Sequence, residues 1–256
     1  MIRFFSKIRM NLLEKSKVTR YLAYAVGEII LVVVGILIAL QVNNWNEGRK
    51  DRESEIQILK EIHSNLHTDL EEFERNIRTF ERQQIACEKL LVIVRNDLPD
   101  NRSYGFHISF SAYFPNFTPT ISGYQLLQNK GLNLVRNDEL RKSITDLYEY
   151  VYNFIREQET QIDGFGNSLY EPALAEYHGI DSLTIEDQMD SYDVPPISLG
   201  RGRFRPMVRF DQFKRDTRLH SLIKSAQVKG AAYWGRQEDC VLKVKELLVQ
   251  LEAEFE

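Results

Sequence analysis

The sequence predicts an all-α protein, with one N-terminal transmembrane helix continuing into an elongated periplasmic helical bundle with a coiled-coil-like seam. Three observations carry this reading. Tyr21–Trp45, YLAYAVGEIILVVVGILIALQVNNW, is an apolar run broken by one carboxylate, Glu28. From Glu47 to Asn96 there is no proline, and apolar residues recur at threes and fours. The same period returns from Asp211 to Glu256.

The apolar run comes first. A hydrocarbon core of about 30 Å needs roughly 20 apolar residues at about 1.5 Å rise each, and Leu22–Val42 supplies that length. A span starting after Glu28 would reach only about 21 Å, so Glu28 falls inside the bilayer, toward one interface. A cleaved signal peptide is disfavoured, because Ala39-Leu40-Gln41-Val42-Asn43 places bulky residues where the peptidase needs small ones. Residues 1–20 carry Arg3, Lys7, Arg9, Lys15, Lys17 and Arg20 against Glu14 alone, whereas the distal flank mixes both signs. The positive-inside rule then puts residues 1–20 in the cytoplasm, the span at 21–45 and a domain of residues 46–256 outside. With no second span, the C-terminus is expected outside as well.

Within the run, Tyr21 and Tyr24 at one end and Trp45 at the other match interfacial aromatic belts. Ala23, Gly27, Gly35 and Ala39 fall on one row, the small-residue spacing that lets helix backbones approach closely. Glu28 has three readings: it snorkels or stays protonated, it pairs with a partner span, or it moves protons or cations. Ahead of the run, Ile2, Phe5, Ile8 and Leu12 share a face while Arg3, Lys7 and Arg9 lie on others. This is a basic amphipathic segment suited to an anionic inner leaflet.

The N-terminal residues, from Ile2-Arg3-Phe4-Phe5 through Gly27-Glu28-Ile29-Ile30-Leu31-Val32-Val33-Val34-Gly35-Ile36-Leu37-Ile38-Ala39-Leu40-Gln41-Val42-Asn43-Asn44-Trp45-Asn46-Glu47, carry a resemblance. Together with Tyr124-Gln125-Leu126-Leu127, Gly131, Leu134, Asn137, Glu139-Leu140-Arg141 and Tyr148, they resemble a membrane-protein family of Bacteroidota, domain of unknown function 6090. The resemblance implies an inner-membrane anchor in such bacteria. It brings no catalytic or ligand residues with it.

The first long helix is expected over about 48–96, with Ile56, Leu59, Ile62, Leu66, Leu70, Phe73, Ile77 and Phe80 as its stripe. About 45 residues make a rod of about 70 Å, which must bury that stripe against other helices of this chain or a second copy. Leu98-Pro99-Asp100-Asn101 ends it. Arg102–Phe117 reads as irregular and aromatic, capping the tip of the bundle or lining a ligand pocket; its short alternation at Phe106–Phe110 resembles a strand. A short helix is expected at about 120–130, stopped by Gly131. Another is expected at about 138–163, capped by Asn137 and broken at Gly164-Phe165-Gly166, with a further piece toward Tyr177.

Residues 181–209 are the least regular stretch. Arg201, Arg203, Arg205 and Arg209 follow an acidic segment there and serve either a lipid or lipopolysaccharide phosphate or their acidic neighbours. The last helix, about 211–255, carries Val241, Val244, Leu248, Leu251 and Phe255 as the coiled-coil-like seam, with Gly230 and Gly235 allowing close approach or a bend.

Net charge is −4, split into a basic tail and an acidic remainder, which argues against nucleic acid as partner. Cys87 and Cys240 form a candidate disulfide on the oxidising side. His63 and His67 share a face with Glu71, but three ligands at most make a solvated polar face the better reading, and no metal or cofactor is expected. The chain has no Gly-rich phosphate loop, no Gly-x-Ser-x-Gly and no Cys-x-x-Cys, so an enzyme is not expected. The leading role is an oligomeric or partner-binding subunit of an envelope assembly, contacting inner-membrane lipids and either further copies or another membrane or periplasmic protein. The alternatives are ion-coupled transport through Glu28 and ligand sensing by the outer bundle.

Overall fold

The computed structural model describes residues 17–101, 104–179, 183–184 and 203–255. It is helical almost throughout. Helix α1, Lys17–Arg95, is continuous, so the apolar run and the first amphipathic stretch belong to one element. With no proline inside, nothing interrupts its hydrogen-bond ladder. It ends as a Schellman motif: Asp97 takes a left-handed φ of 47°, its N–H donates to Val94 O and the Leu98 N–H donates to Ile93 O. Pro99 follows and cannot extend the helix. Lys214 reaches over this end to bond the Asp97 carboxylate and the Leu98 carbonyl.

A compact unit begins at Ile58 and runs to Glu256. Inside it, α1 pairs antiparallel with the last helix, α8, Thr217–Ala253. Gln83 and Gln84 of α1 donate to the carbonyls of Ala226 and Gln227, and His63 stands beside Glu252. Gly230 permits the approach, since a Cβ there would lie 2.5 Å from Gln83 Oε1; Gly235 faces open space. The expected final helix is in fact two pieces. A short helix α7, Phe210–Arg215, stops at Asp216, whose carboxylate caps α8 by accepting from the Leu219 N–H at 2.8 Å.

Between the two long helices lie α2 Tyr104–Ser111, α3 Ser122–Lys130, a 3₁₀ turn Leu132–Leu134, α4 Asp138–Asp146, α5 Tyr152–Phe165 and α6 Glu171–Ala175. Asn137 caps α4 as its sequence requires, accepting from Glu139 N and Leu140 N. The expected break at the glycines is absent. Gly164-Phe165-Gly166 does not end the helix; it passes into a π turn, Gly166–Tyr170, which widens the coil and stacks Phe165 on Tyr170 at 5.6 Å so that both are buried. A second π turn, Leu147–Val151, joins α4 to α5.

The stretch expected to be irregular, with a strand-like piece at Phe106–Phe110, holds helix α2 instead. The cause is tertiary: Gly105 lies against the backbone of residues 205–207, where a Cβ would come within 2.0 Å of Arg205 O. Strands are confined, among the described residues, to a two-residue antiparallel pair, β1 Leu183–Thr184 with β2 Arg203–Phe204.

The unit has two main cores. One gathers Leu59, Ile62, Leu66, Phe73 and Phe80 of α1 with Tyr152, Val244, Leu248 and Leu251. The other gathers Cys87, Leu90 and Ile93 with Tyr170, Tyr177, Phe213 and Ile223. The residues expected to form a coiled-coil-like seam on α8 are therefore covered by this chain: Val244, Leu248 and Leu251 are buried, and Val241 and Phe255 pack at the margin.

Candidate functional site

The first functional feature is the apolar run. From Leu22 to Val42 its large apolar side chains are all exposed, from 47% at Val34 to 75% at Leu31. This segment is long and apolar enough to cross a membrane. Glu28 sits exposed within it. Gly27 and Gly35 have nothing within 4 Å of a virtual Cβ, and Ala39 is exposed, so that face is open to a neighbouring helix. The side chains of Lys17, Arg20 and Ala23 lie outside the described structure, as do residues Arg3, Lys7, Arg9 and Lys15.

The second feature is a polar stripe on α1. Asn65, Asp69, Glu72 and Asn76 recur at steps of four, three and four, so they share one face beside the apolar stripe. Each holds the backbone of one segment, residues 116–123. Asn65 Oδ1 accepts from Gly123 N at 2.8 Å, Asp69 Oδ1 from Thr120 N at 2.8 Å and Glu72 Oε1 from Thr118 N at 3.0 Å. Asn76 donates to Asn116 O at 3.1 Å. From α5, Glu159 Oε1 accepts from Phe117 N at 2.6 Å and from the Tyr233 hydroxyl. Gly123 is pressed against α1, where a Cβ would fall 2.7 Å from Ile62 N.

Asp69 and Glu159 are buried, and burial raises the pKa of both above ordinary carboxylate values, against the opposing pull of their hydrogen-bond donors. The Tyr152 hydroxyl donates to Asp69 Oδ2 at 2.7 Å, and burial together with that carboxylate pushes the tyrosine pKa up. Such groups hold a loop in place. The aromatic residues expected to cap the tip or line a pocket are divided likewise: Phe117 stacks on Phe73 at 4.0 Å, and Phe106 lies against Phe110 at 4.5 Å.

The third feature joins the two ends of the unit. His63 and His67 are one turn apart on α1, their ring centroids 4.7 Å from each other. Glu71, the residue expected to complete their face, instead lies 3.9 Å from Arg75. The carboxylate that does approach is Glu252, from the last turn of α8, with Oε1 3.4 Å from His63 Nε2. No sequence signal links residues separated by nearly the whole domain.

Other candidates are scattered. Arg201 lies outside the described residues and the side chain of Arg203 is likewise undescribed. Arg205 is exposed, and Arg209, in a left-handed conformation with φ 53°, pairs with Glu176 at 3.8 Å. Cys87 and Cys240 are not bonded: both are free and buried, one in each main core, and burial pushes each thiol up to about 12.

No curated protein and no solved structure matches the chain. A family model does, over residues 28–182, a range that takes in Glu28, both histidines, the polar stripe and the segment it holds. With that match extending over more than half its length, the chain belongs to the Family of unknown function (DUF6090).

Proposed function

We propose that this protein is a single-pass inner-membrane subunit, N-terminus in the cytoplasm and helical domain in the periplasm, that scaffolds an envelope assembly through self-association or a partner helix. The observation that carries the reading is the run Leu22–Val42, apolar all round and exposed, with a row of small residues on one face. In water such a surface is unfavourable by about 25 cal/mol per Å², so lipid or another helix is its natural environment. The polar groups of the domain support a binding rather than a catalytic role, because the buried carboxylates are occupied with the chain's own backbone. In this reading Glu28 pairs with a partner span, which would relieve the cost of a carboxylate in hydrocarbon.

The test is the full-length protein extracted in mild detergent and sized by light scattering with the detergent mass subtracted. A species larger than one chain, reduced toward monomer by Gly35→Leu, is expected. A wild-type protein that is only monomeric and binds no co-extracted protein would overturn the proposal.

A further inference from the structure

We propose that His63, His67 and Glu252 form a binding site for a divalent transition-metal ion of the zinc class, bridging α1 and α8. The ligating atoms of all three residues lie within 4.8 Å of one another. The closest pair, His63 Nε2 and Glu252 Oε1, is separated by 3.4 Å. That is long for a hydrogen bond. It does match the ligand–ligand edge of a tetrahedron, which for metal bonds of about 2.0–2.2 Å is about 3.4 Å.

The donor set chooses the ion. Two imidazoles and one carboxylate suit Zn²⁺, Ni²⁺ or Cu²⁺, whereas Ca²⁺ and Mg²⁺ seek six or more oxygens. Histidines one turn apart on a helix project from the same face, so the α1 half of the site needs no backbone change. His67 closes the remaining gap by rotating an exposed side chain.

The α8 half is held in place by its surroundings. Leu251, beside Glu252, is fully buried in the core, and Asn137 Nδ2 donates to Glu254 Oε1 at 2.7 Å, tying the end of α8 to the start of α4. Phe255 closes one side, its ring 5.7 Å from that of His63, with Lys60 drawn 6.0 Å over the Phe255 ring. The opposite side is open: His63 keeps 26% of its side-chain surface and Glu252 keeps 60%, which leaves an entry path and room for water as fourth ligand. Bound metal would link two helices whose ligands are 189 residues apart in the chain, fastening the ends of the antiparallel pair.

The experiment titrates metal-depleted full-length protein in detergent with Zn²⁺ by calorimetry, and with Co²⁺ by visible absorption, which reports tetrahedral coordination. One ion per chain is expected, with Mg²⁺ failing to compete. His63→Ala and Glu252→Gln should each weaken binding by more than about tenfold, since even losses outside the ligand shell commonly reach that size. Glu252→His, which restores a third ligand, should keep it. Circular dichroism checks that each variant is folded. Wild-type binding weaker than about 1 mM would overturn the proposal. So would undiminished binding by a folded His63→Ala/His67→Ala double variant.

Discussion

Two stretches of the same helix, residues 22–42 and 58–95, follow opposite rules. In the first, apolar residues occupy every face and the large ones are all exposed. In the second they form a narrow stripe, Leu59, Ile62, Leu66, Phe73 and Phe80, each with no exposed surface, flanked by a polar stripe of which Asn65, Asp69 and Asn76 are buried too. Continuity of backbone hydrogen bonding therefore says nothing about what surrounds a helix; the angular distribution of side chains does. A helix apolar all round needs a uniform apolar medium, and one with adjoining apolar and polar stripes needs a structured protein neighbour that supplies packing and hydrogen bonds together.

Substitutions can separate the two regimes. The largest effect is expected at Phe73, which stacks on Phe117 in the first core: Phe73→Ala should lower the unfolding free energy of the domain by about 3–5 kcal/mol, read by chemical denaturation in detergent, with membrane association retained. Leu31→Arg should do the reverse. A charge at the centre of a span disfavours insertion by about 2.5–3.5 kcal/mol, so carbonate-resistant membrane association should fall while the denaturation midpoint of the domain stays put. If Leu31→Arg lowered the midpoint as much as Phe73→Ala, the distinction between the two stretches would fail.

The smallest effect sharpens the polar side of the comparison. Glu159 has its pKa raised by burial, so the folded state holds its proton more tightly than the unfolded chain does. Its contribution is complete below the unfolded value near 4.5 and is lost as pH rises through the raised folded value. Glu159→Gln keeps an oxygen able to accept from both Phe117 N and Tyr233 and removes the titration. Its stability should fall less between pH 4 and neutrality than that of the wild type, the difference being at most about 1.4 kcal/mol per pH unit. Parallel curves for the two proteins would refute a buried titrating carboxyl at this position.

Much of this architecture is legible in the sequence, for reasons that differ by element. Helices α1, α3, α4 and α8 announce themselves because their apolar residues repeat with the helical period and because Asn137 and Gly131 are local signals that act where they stand. The helix at Tyr104–Ser111 is hidden: its aromatic and β-branched residues favour extended chain, and contacts with residues 205–207 override that preference. Gly164-Phe165-Gly166 misleads because two glycines suggest a stop where the fold needs a wider turn. At the candidate site, His63 and His67 could be placed on one face from their spacing alone. Glu252 could not, since its approach depends on how α8 returns along α1. The polar stripe at 65, 69, 72 and 76 did carry a signal, four hydrogen-bonding residues in helical register beside a buried stripe.

That stripe grips mainly main-chain atoms of residues 116–123, so its recognition is blind to the side chains of Asn116 and Thr118, while Ser122 adds a side-chain bond to Asn65. The loop's alignment is thus encoded on the helix it crosses. Thr118 is free to drift, provided its amide remains, whereas exchanging Asp69 for a residue that cannot accept would unfasten a stretch of chain more than forty positions away.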